Sequence, residues 1–407
     1  MIMIQCRICK KNMVPFISFG PMPIANGFLS PDNYDSEYFF ELAVSFCPNC
    51  QMVQLIEQPD RDQMFHAQYA YYSSTSQRMV LHFKEMVTDI LDRFQFLDDP
   101  FIVEIGSNDG ILLQNIASKK IRHLGVEPSK NVASVAQEKG IQTINEFFDR
   151  DVAKSIVNKY GQANVVFAAN VMCHIPDIHS VVSGIQYLLK PEGVFVFEDP
   201  YLSDIIDKIS YDQIYDEHVF YFSLRSLSHV FSMYDLEIIH AIPQDVHGGS
   251  MRYIVAHKNV YPLSEDVIHL IQMEENKGLH KISTYEKLCQ NIHQSKLQLM
   301  DLLNDLSSQN KRVIGYGATS KSTTVINYCD ISERHVEFIS DTTPIKQGKY
   351  SPGKHIPVKP YENFSSNYPD YALLFAWNHK EEIMAKEKAF ENSGGRWIVY
   401  VPSIQII

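Results

Sequence analysis

Between residues 101 and 197 the chain alternates short apolar runs with segments of helical periodicity. The apolar runs, which are typical of buried strands, lie at 101–105, 123–126, 165–169 and 194–197. The helical segments between them lie near 111–119, 130–139, 151–160 and 179–190. Strands joined by helices of this length predict βαβ units and a mostly parallel sheet. Such a sheet binds ligands at the carboxyl ends of its strands.

The flanking regions follow other patterns. Residues 1–65 lack helical periodicity and are rich in Pro and Gly, which predicts a small irregular module with some β-structure. Apolar residues recur at helical spacing over 76–97, which predicts one amphipathic helix. Residues 264–310 are polar and helical, and the strand-then-helix pattern starts again at Arg312.

Together these patterns predict an α/β protein with more than one domain. A chain of 407 residues is long enough for two or three domains, each with its own core. We expect an N-terminal module at 1–65, a central Rossmann-like domain at 66–260, a helical connector at 261–310 and a C-terminal Rossmann-like α/β domain at 311–407.

Composition and charge mainly exclude certain partners and locations. Lys and Arg number 36 against 48 for Asp and Glu, so the formal net charge of −12 argues against a nucleic-acid partner. There is no apolar run of about 18 residues for a membrane span, and no apolar core of a signal peptide near the N-terminus. We therefore expect a soluble cytoplasmic protein without a membrane partner. No pattern in the chain predicts an oligomeric state.

Two Cys-x-x-Cys pairs lie in the N-terminal region, Cys6 with Cys9 and Cys47 with Cys50. Each pair can present two thiolates to one point, so the two pairs together can complete the tetrahedral shell of a Zn²⁺ ion. Two disulfides or four unrelated thiols are the alternatives; a reducing compartment disfavours the first and the paired spacing the second. Because protein would supply all four ligands, the predicted zinc is structural.

A glycine-containing turn follows the first predicted strand of the central domain, with the sequence Glu104-Ile105-Gly106-Ser107-Asn108-Asp109-Gly110. Glycines there let the backbone approach a ligand closely. Glu127 ends the next strand, where a carboxylate can accept both ribose hydroxyls. The arrangement suits NAD and S-adenosylmethionine alike, although Asn108 stands where a dinucleotide motif needs its second glycine. A turn without any cofactor is the remaining alternative.

The E-x-G-x-x-x-G form of this turn resembles motif I of the class I S-adenosylmethionine-dependent methyltransferases. The resemblance implies that the cofactor lies against Glu104, Gly106, Asn108, Asp109, Gly110 and Glu127. It also implies that Asn145 and Phe147 lie near the adenine, and that Asn170 lies beside the methionine portion.

His, Tyr and Glu residues are concentrated in three further stretches, 69–74, 170–177 and 215–223. His174 follows a predicted strand at the edge where ligands bind, and Tyr215 and His218 share one face if their segment is helical. Taken singly, each of these residues has an explanation in packing. His82 and His179 are expected to be surface residues of helices.

In combination these stretches resemble the sugar C-methyltransferases that act on dTDP-linked deoxyketosugars. That family carries a zinc module, a central methyltransferase domain with the motif I-Y-x-E-H-x-x-Y, and a C-terminal domain with G-Y-G-A-x-x-K and K-Q-G-x-x-x-P-G-x-x-I-P. The counterparts in this chain are 214–221, 315–321 and 346–357, and they occur in the same order over nearly the whole chain.

The resemblance implies methylation of a 4-keto deoxy sugar, linked to a dTDP or GDP nucleotide, at C-3. Removing a proton from carbon beside a ketone requires a base poised near neutral pH and donors for the enolate oxygen. His218 has a suitable intrinsic pKa, and Tyr215 and His174 can donate to the oxygen. Glu217 can orient a neighbouring side chain or a substrate amine or hydroxyl, and Tyr72 can shape the pocket. The residues alone do not separate His218 from His174 as the base.

The C-terminal motif Gly315–Lys321 is close to two known phosphate-binding patterns but matches neither. Ser320 stands where both a Walker A loop and a dinucleotide loop require glycine, which disfavours an ATPase or an NAD site. A glycine turn before a helix, with Lys321, can still hold a diphosphate or shape a domain contact. The resemblance implies that the substrate lies against Tyr221, Gly317, Lys321, Lys346 and Asn378; Lys346, Asn378 and the nearby Asp341 could equally be turn residues.

Three other functions remain open at this stage. The first is O- or N-methylation of a nucleotide sugar, which needs a base but no carbon acid. The second is a non-catalytic scaffold that keeps the cofactor fold. The third is an NAD-dependent sugar epimerase.

Overall fold

The computed structural model describes residues 4–60, 64, 76–96 and 99–407. The strands are β1 Val14–Pro23, β2 Phe39–Phe46, β3 Val53–Leu55, β4 Phe101–Ile105, β5 Arg122–Val126, β6 Thr143–Ile144, β7 Ala163–Ala169, β8 Leu189–Pro200, β9 Phe220–Tyr221, β10 Leu236–Gln244, β11 Ser250–His257, β12 Val313–Tyr316, β13 Ile339–Ser340, β14 Val358–Lys359, β15 Tyr371–Leu374, β16 Arg396–Val399 and β17 Gln405–Ile406.

The α-helices in these ranges differ widely in length. They are α1 Gln77–Phe94, α2 Leu113–Ala117, α3 Lys130–Glu138, α4 Arg150–Tyr160, α5 Ile178–Leu188, α6 Leu202–Lys208, α7 Leu224–Ser232, α8 Glu265–Lys277, α9 Ile282–Ser308, α10 Ser320–Tyr328, α11 Tyr361–Ser365, α12 Lys380–Lys386 and α13 Lys388–Asn392. No helix of the described part of the chain is long and apolar enough to cross a membrane.

The central sheet has seven strands in the order β10-β11-β8-β7-β4-β5-β6. Strands β4 to β8 pair in parallel, as the apolar runs predict, because helices cross over between them. Strands β10 and β11 extend this sheet as an antiparallel hairpin, and β11 pairs with β8. This order is that of a class I methyltransferase sheet, in which β4, β5 and β7 end at one edge.

The N-terminal sheet contains β1, β2 and β3 and a fourth strand from elsewhere in the chain. That strand is β9, which lies far along the sequence in the predicted central domain and pairs antiparallel with β3 through Val53 and Tyr221. The predicted boundary between the first two domains therefore does not separate their sheets. The residues just before β9, which carry Tyr215 and His218, are consequently held against the N-terminal module.

The C-terminal sheet has six strands in the order β14-β13-β12-β15-β16-β17. All of its pairs are parallel except that between β16 and β17. The predicted restart of an α/β pattern at Arg312 thus corresponds to a Rossmann-like domain.

The helical segment at 261–310 does more than connect two domains. Tyr285 of α9 is fully buried, and its ring packs against Phe46 and Phe16 of the N-terminal sheet with centroids 4.7 and 5.2 Å away. One apolar core runs from this contact into the central and C-terminal sheets. The three sheets therefore stabilise one another, and a cavity between them has fixed walls.

Candidate functional site

The four cysteines of the N-terminal region converge on one point. The Cys6 and Cys50 sulfurs are 3.5 Å apart, the Cys9 and Cys47 sulfurs are 3.4 Å apart, and all four lie within 4.8 Å of one another. The turn after each pair contains a left-handed residue, Lys10 or Gln51, that curls the backbone around the thiols. None of the four is in a disulfide. The donor set fits a tetrahedral thiolate-bound metal of the zinc type.

A cavity of about 1200 Å³ lies at the carboxyl edge of the central sheet. Its walls come from all three parts of the chain, because Asn26 of the N-terminal module and the 318–321 and 341–346 loops of the C-terminal domain line it together with the central domain. A volume of this size accommodates a cofactor and a second ligand side by side. The sites predicted separately from the sequence thus share one space.

One wall of the cavity is built from the turn after β4 and the end of β5. Gly106 has a φ of +68°, and a Cβ there would lie 2.3 Å from a methyl carbon of Val171, so only glycine fits. The Glu127 carboxylate accepts hydrogen bonds from the backbone N–H groups of Asn108 and Ser129, at 2.9 and 2.8 Å. Burial raises the pKa of Glu127, while these two bonds favour its charged form. The carboxylate is therefore fixed in place for the hydroxyls of a ribose.

Several predicted cofactor residues support this wall without lining it. Glu104 is buried in β4, where burial raises the pKa of its carboxyl well above the ordinary value and so favours its neutral form. Asp109 is also buried and forms a 3.2 Å ion pair with Lys139. Asn145 donates to the carbonyl oxygens of Glu127 and Pro128 and holds that loop.

Other members of the predicted cofactor set are placed as follows. At Gly110, φ is +81° and a Cβ would lie 2.9 Å from Ile141, so this glycine serves the turn and does not line the cavity. Phe147 and Asn170 do line it, together with Gly106, Asn108 and Glu127.

His218 lies on the neighbouring wall, in the segment between α6 and β9. Its Nδ1 is 2.7 Å from the carbonyl oxygen of Gln213, and its Nε2 is 2.9 Å from the Tyr215 hydroxyl. Because a carbonyl oxygen only accepts, Nδ1 carries the proton and Nε2 presents a lone pair to the hydroxyl. Burial lowers the pKa of His218 well below its ordinary value, and His174 adds to this. The imidazole is therefore neutral at physiological pH.

His174 faces the same space from the end of the turn after β7. Its ring centroid is 5.1 Å from that of His218, and burial lowers its pKa to about 4. His174, His218 and Cys173 each offer a ligand atom within 4.8 Å of the others. Both ring nitrogens of His218 already have hydrogen-bond partners, so we interpret this group as a reacting centre and not as a metal site.

Glu217 forms the part of the wall that touches the N-terminal module. Its carboxyl oxygen accepts a 3.2 Å hydrogen bond from the Asn26 amide, and the adjacent Asp216 accepts one from the backbone of Ala25 at 2.9 Å. Burial raises the pKa of both carboxyl groups, and the Asp216 charge raises that of Glu217 further. Glu217 is thus poised to be a neutral acid that can donate as well as accept.

The C-terminal domain closes the cavity opposite the cofactor wall. Lys321 and Lys346 both line it, and their ammonium groups donate to the carbonyl oxygens of His247 and Ala318, at 2.9 and 2.8 Å. Asn378 also lines it. Gly317 has a φ of +92° and sits one residue before the lining, so its role is the turn.

The remaining predicted residues, Tyr221, Tyr72, His82 and His179, have different outcomes. Tyr221 is buried in β9 and does not line the cavity. Tyr72, like all of 69–74, lies outside the described residues. His82 and His179 are not free surface residues: His82 bonds buried Glu198 at 2.6 Å, and His179 bonds the Tyr234 hydroxyl at 2.6 Å.

Long-range folding brings further residues into the wall of the cavity that the sequence did not predict. Asn26, Gln213, His247 and His379 line the cavity, yet no local motif marks them. Gly248 and Gly249 after His247 were the available signal, since paired glycines often mark a close approach of backbone to a neighbour.

Comparison with known proteins gives matches along the whole chain. Three family models match: "Putative zinc binding domain" at residues 6–65, "Methyltransferase domain" at 79–241 and "C-methyltransferase C-terminal domain" at 245–402. C-methyltransferase NovU of Streptomyces niveus is 33% identical over 406 residues, which span 99% of this chain and 96% of that protein.

More distant matches cover less than half of the chain. Ubiquinone biosynthesis O-methyltransferase of Acinetobacter baumannii strain AYE is 30% identical over 100 residues, 24% of this chain and 42% of that protein. A crystal structure of an S-adenosylmethionine-dependent methyltransferase from Clostridium acetobutylicum is 12% identical, with a TM-score of 0.36 over 44% of this chain and 92% of that one.

The sheet order, the Gly106 turn and the Glu127 carboxylate define a class I S-adenosylmethionine-dependent methyltransferase. The match to NovU extends from the cysteine module to the C-terminal sheet. This chain belongs to the C-methyltransferase family that includes NovU.

Proposed function

We propose that this protein methylates carbon C-3 of a 4-keto deoxy sugar carried on a nucleoside diphosphate. The observation that carries the proposal is the neutral His218 imidazole at the cavity wall, whose Nδ1–H is bound to the Gln213 carbonyl, which leaves the lone pair on Nε2. That atom can accept a proton from carbon beside a carbonyl. An ordinary hydroxyl substrate would not need an enolate-stabilising group, whereas two further donors lie beside His218.

In the proposed step, the C-3–H bond breaks, the proton moves to Nε2 of His218, and the electron pair forms an enolate. The Tyr215 hydroxyl, which donates to Nε2 in the free protein at 2.9 Å, must leave that nitrogen first. It then becomes available to the enolate oxygen. His174, held neutral by burial, can donate its ring N–H to the same oxygen.

S-Adenosylmethionine, when bound, supplies an electrophilic methyl group to the enolate carbon. The chain's own contribution is to hold it: Glu127 would accept the ribose hydroxyls, Phe147 would lie against the adenine, and Gly106 leaves room for close backbone approach. Asn170 lines the cavity between this wall and His174. Holding the two reactants side by side replaces a bimolecular encounter, which is worth several kcal/mol of barrier.

The opposite wall suits the nucleotide part of the substrate. The backbone N–H groups at the start of α10, together with Lys321 and Lys346, offer a cationic surface for a diphosphate. Glu217 lies between this wall and His218, where it can bind a sugar hydroxyl or amine. For the N-terminal module, we propose one structural Zn²⁺ on Cys6, Cys9, Cys47 and Cys50.

The proposal is tested by exchange of hydrogen with solvent. Enzyme, S-adenosylhomocysteine and a dTDP-linked 4-keto deoxy sugar are incubated in D₂O, and deuterium at C-3 is measured by mass spectrometry against an enzyme-free control. We expect exchange with the parent protein and only background with His218→Ala. Methyl transfer to a sugar oxygen or nitrogen, without enzyme-dependent exchange at carbon, would show instead that this is an O- or N-methyltransferase.

A further inference from the structure

The segment that carries His218 is held by the C-terminal domain at the two residues on either side of Gln213. The Asp212 carboxylate accepts hydrogen bonds from the Trp377 indole N–H at 2.6 Å and from the Tyr400 hydroxyl at 2.8 Å. Two residues further on, the carbonyl of Ile214 accepts a 2.7 Å bond from Thr324. Between them lies Gln213, whose own carbonyl oxygen fixes Nδ1 of His218.

Gln213 is also anchored through its side chain. Its amide donates to the carbonyl oxygen of His247 at 3.2 Å, and Lys321 donates to that same oxygen at 2.9 Å. The Lys321 ammonium lies 5.3 Å from the centre of the Trp377 ring and is attracted to the Asp212 carboxylate. Lys321 therefore braces the segment in addition to lining the cavity.

Trp377 fits tightly against the central domain. A Cβ at Gly248, where φ is +90°, would lie 2.3 Å from the indole, so the ring rests directly on the backbone there. Asp212 is fully buried and Tyr400 nearly so, at 0% and 1% exposure. A carboxylate removed from water and bound by two fixed donors has little freedom to move, and neither has the peptide group that follows it.

We propose that Trp377 and Tyr400, acting through Asp212, are positioning residues for His218. They hold the Gln213 carbonyl where it fixes the proton of His218 on Nδ1 and leaves the lone pair on Nε2. In this proposal the C-terminal domain contributes to catalysis as well as to substrate binding, because it fixes the tautomer of His218 in the neighbouring domain. The catalytic part of this inference rests on the proposed function, in which His218 is the base.

The test uses Tyr400→Phe, with Trp377→Phe as a second variant. Each removes one donor to Asp212 and keeps an aromatic ring in the core. We expect kcat to fall roughly tenfold, because the His218 ring is held less firmly in its reactive orientation. KM for the sugar nucleotide and affinity for S-adenosylmethionine should stay within about twofold, because the residues that bind these ligands are unchanged. The matched control is Tyr316→Phe, which removes a buried tyrosine–carboxylate bond of 2.8 Å, to Glu387, in the same domain.

A second measurement needs no substrate. The ¹⁵N shifts of His218, assigned by comparison with His218→Asn, report which ring nitrogen carries the proton. We expect the Nδ1–H tautomer in the parent and in Tyr316→Phe, and a mixture in Tyr400→Phe and Trp377→Phe. Unchanged His218 shifts in both variants, unchanged kcat, or an equal loss of kcat in Tyr316→Phe would each overturn the inference. If the protein proves not to act on keto sugars, the tautomer measurement still decides whether Asp212 positions His218.

Discussion

At the scale of single residues, the environment of each group at the centre of the cavity sets what it can do. Burial lowers the pKa of both imidazoles, and His218 has one ring nitrogen on the Gln213 carbonyl and the other on the Tyr215 hydroxyl. A histidine with its Nδ1–H occupied has a defined lone pair at Nε2, which is the arrangement that a general base needs. This arrangement supports the proposal that His218 is the base.

Replacing His218 by Ala should therefore remove turnover and spare cofactor binding. We expect kcat to fall by about 10²- to 10⁴-fold, the usual contribution of a general base. The affinity for S-adenosylmethionine, measured by calorimetry, should stay within about twofold because the Gly106 turn and Glu127 are unaffected. His269→Ala, on the exposed face of α8, is the control. Substantial turnover in the His218 variant would move the base to His174.

Asp199, at the end of β8, should make stability depend on pH. Burial raises the pKa of its carboxyl from 3.8 to about 8. Between these values the unfolded chain is ionised and the folded one is protonated, so the contribution of Asp199 to stability falls as pH rises. Asp199→Asn keeps the neutral shape. Its stability relative to the parent should increase by about 1.4 kcal/mol per pH unit from about pH 6 to about pH 8; parallel urea-denaturation curves for the two proteins would contradict this.

At the scale of elements, the N-terminal module acts on the active segment through one strand pair and one loop. Strand β9, which completes the module's sheet, begins two residues after His218, and the loop containing Asn26 touches Glu217 and Asp216. Unfolding of the module would therefore displace His218 and Glu217 more than the residues of the cofactor wall. The cysteine cluster is joined to the first of these contacts, because Gln54 of β3 donates to the Cys6 sulfur at 3.2 Å.

Removing the proposed zinc should thus lower turnover more than cofactor affinity. We expect the parent protein to contain one zinc per chain by mass spectrometry and Cys6→Ser to contain almost none. Tm should fall by at least about 5 °C in that variant, since each kcal/mol corresponds to roughly 2–4 °C for a domain of moderate size. Cys289→Ser on α9, outside the cluster, should keep both zinc and activity. Full metal content in Cys6→Ser would show that this cysteine is not a ligand.

At the scale of the whole molecule, the cavity exists only because three sheets share one core. Asn26, His218 and Lys346 come from distant parts of the chain and line the same space. Since the walls are fixed by fully buried contacts such as Tyr285 on Phe46, the site is largely formed before ligands bind. A substrate that bridges the central and C-terminal walls gains from this preorganisation.

Lys346→Met tests whether the C-terminal wall binds the nucleotide. The change keeps the length of the side chain but removes the charge proposed for the diphosphate. We expect KM for the sugar nucleotide to rise about tenfold, the loss of one charge-assisted hydrogen bond, with unchanged affinity for S-adenosylmethionine. Lys380→Met, exposed at the start of α12, is the control. An equal effect of both changes on KM would mean that general charge, and not Lys346, attracts the substrate.

The sequence by itself determined the parts of this protein that depend on neighbouring residues. The parallel strands, the Gly106 turn with Glu127 at the next strand end, and the two Cys-x-x-Cys pairs are local patterns, because backbone sterics and ligand spacing act over a few residues. The edge of a parallel sheet then brings the Gly106 turn and the end of β7 together without further information.

Only the tertiary structure decided which distant groups meet. Asn26 and Glu217 are 191 residues apart, and Trp377 and Asp212 are 165 apart, so no local pattern could pair them. The same holds for β9, which leaves its predicted domain to join another sheet, and for Glu104 and Asp109, whose burial behind the cofactor wall depends on packing. Burial also sets the pKa values of His174, His218 and Asp199, because the cost of losing hydration exists only in the folded chain.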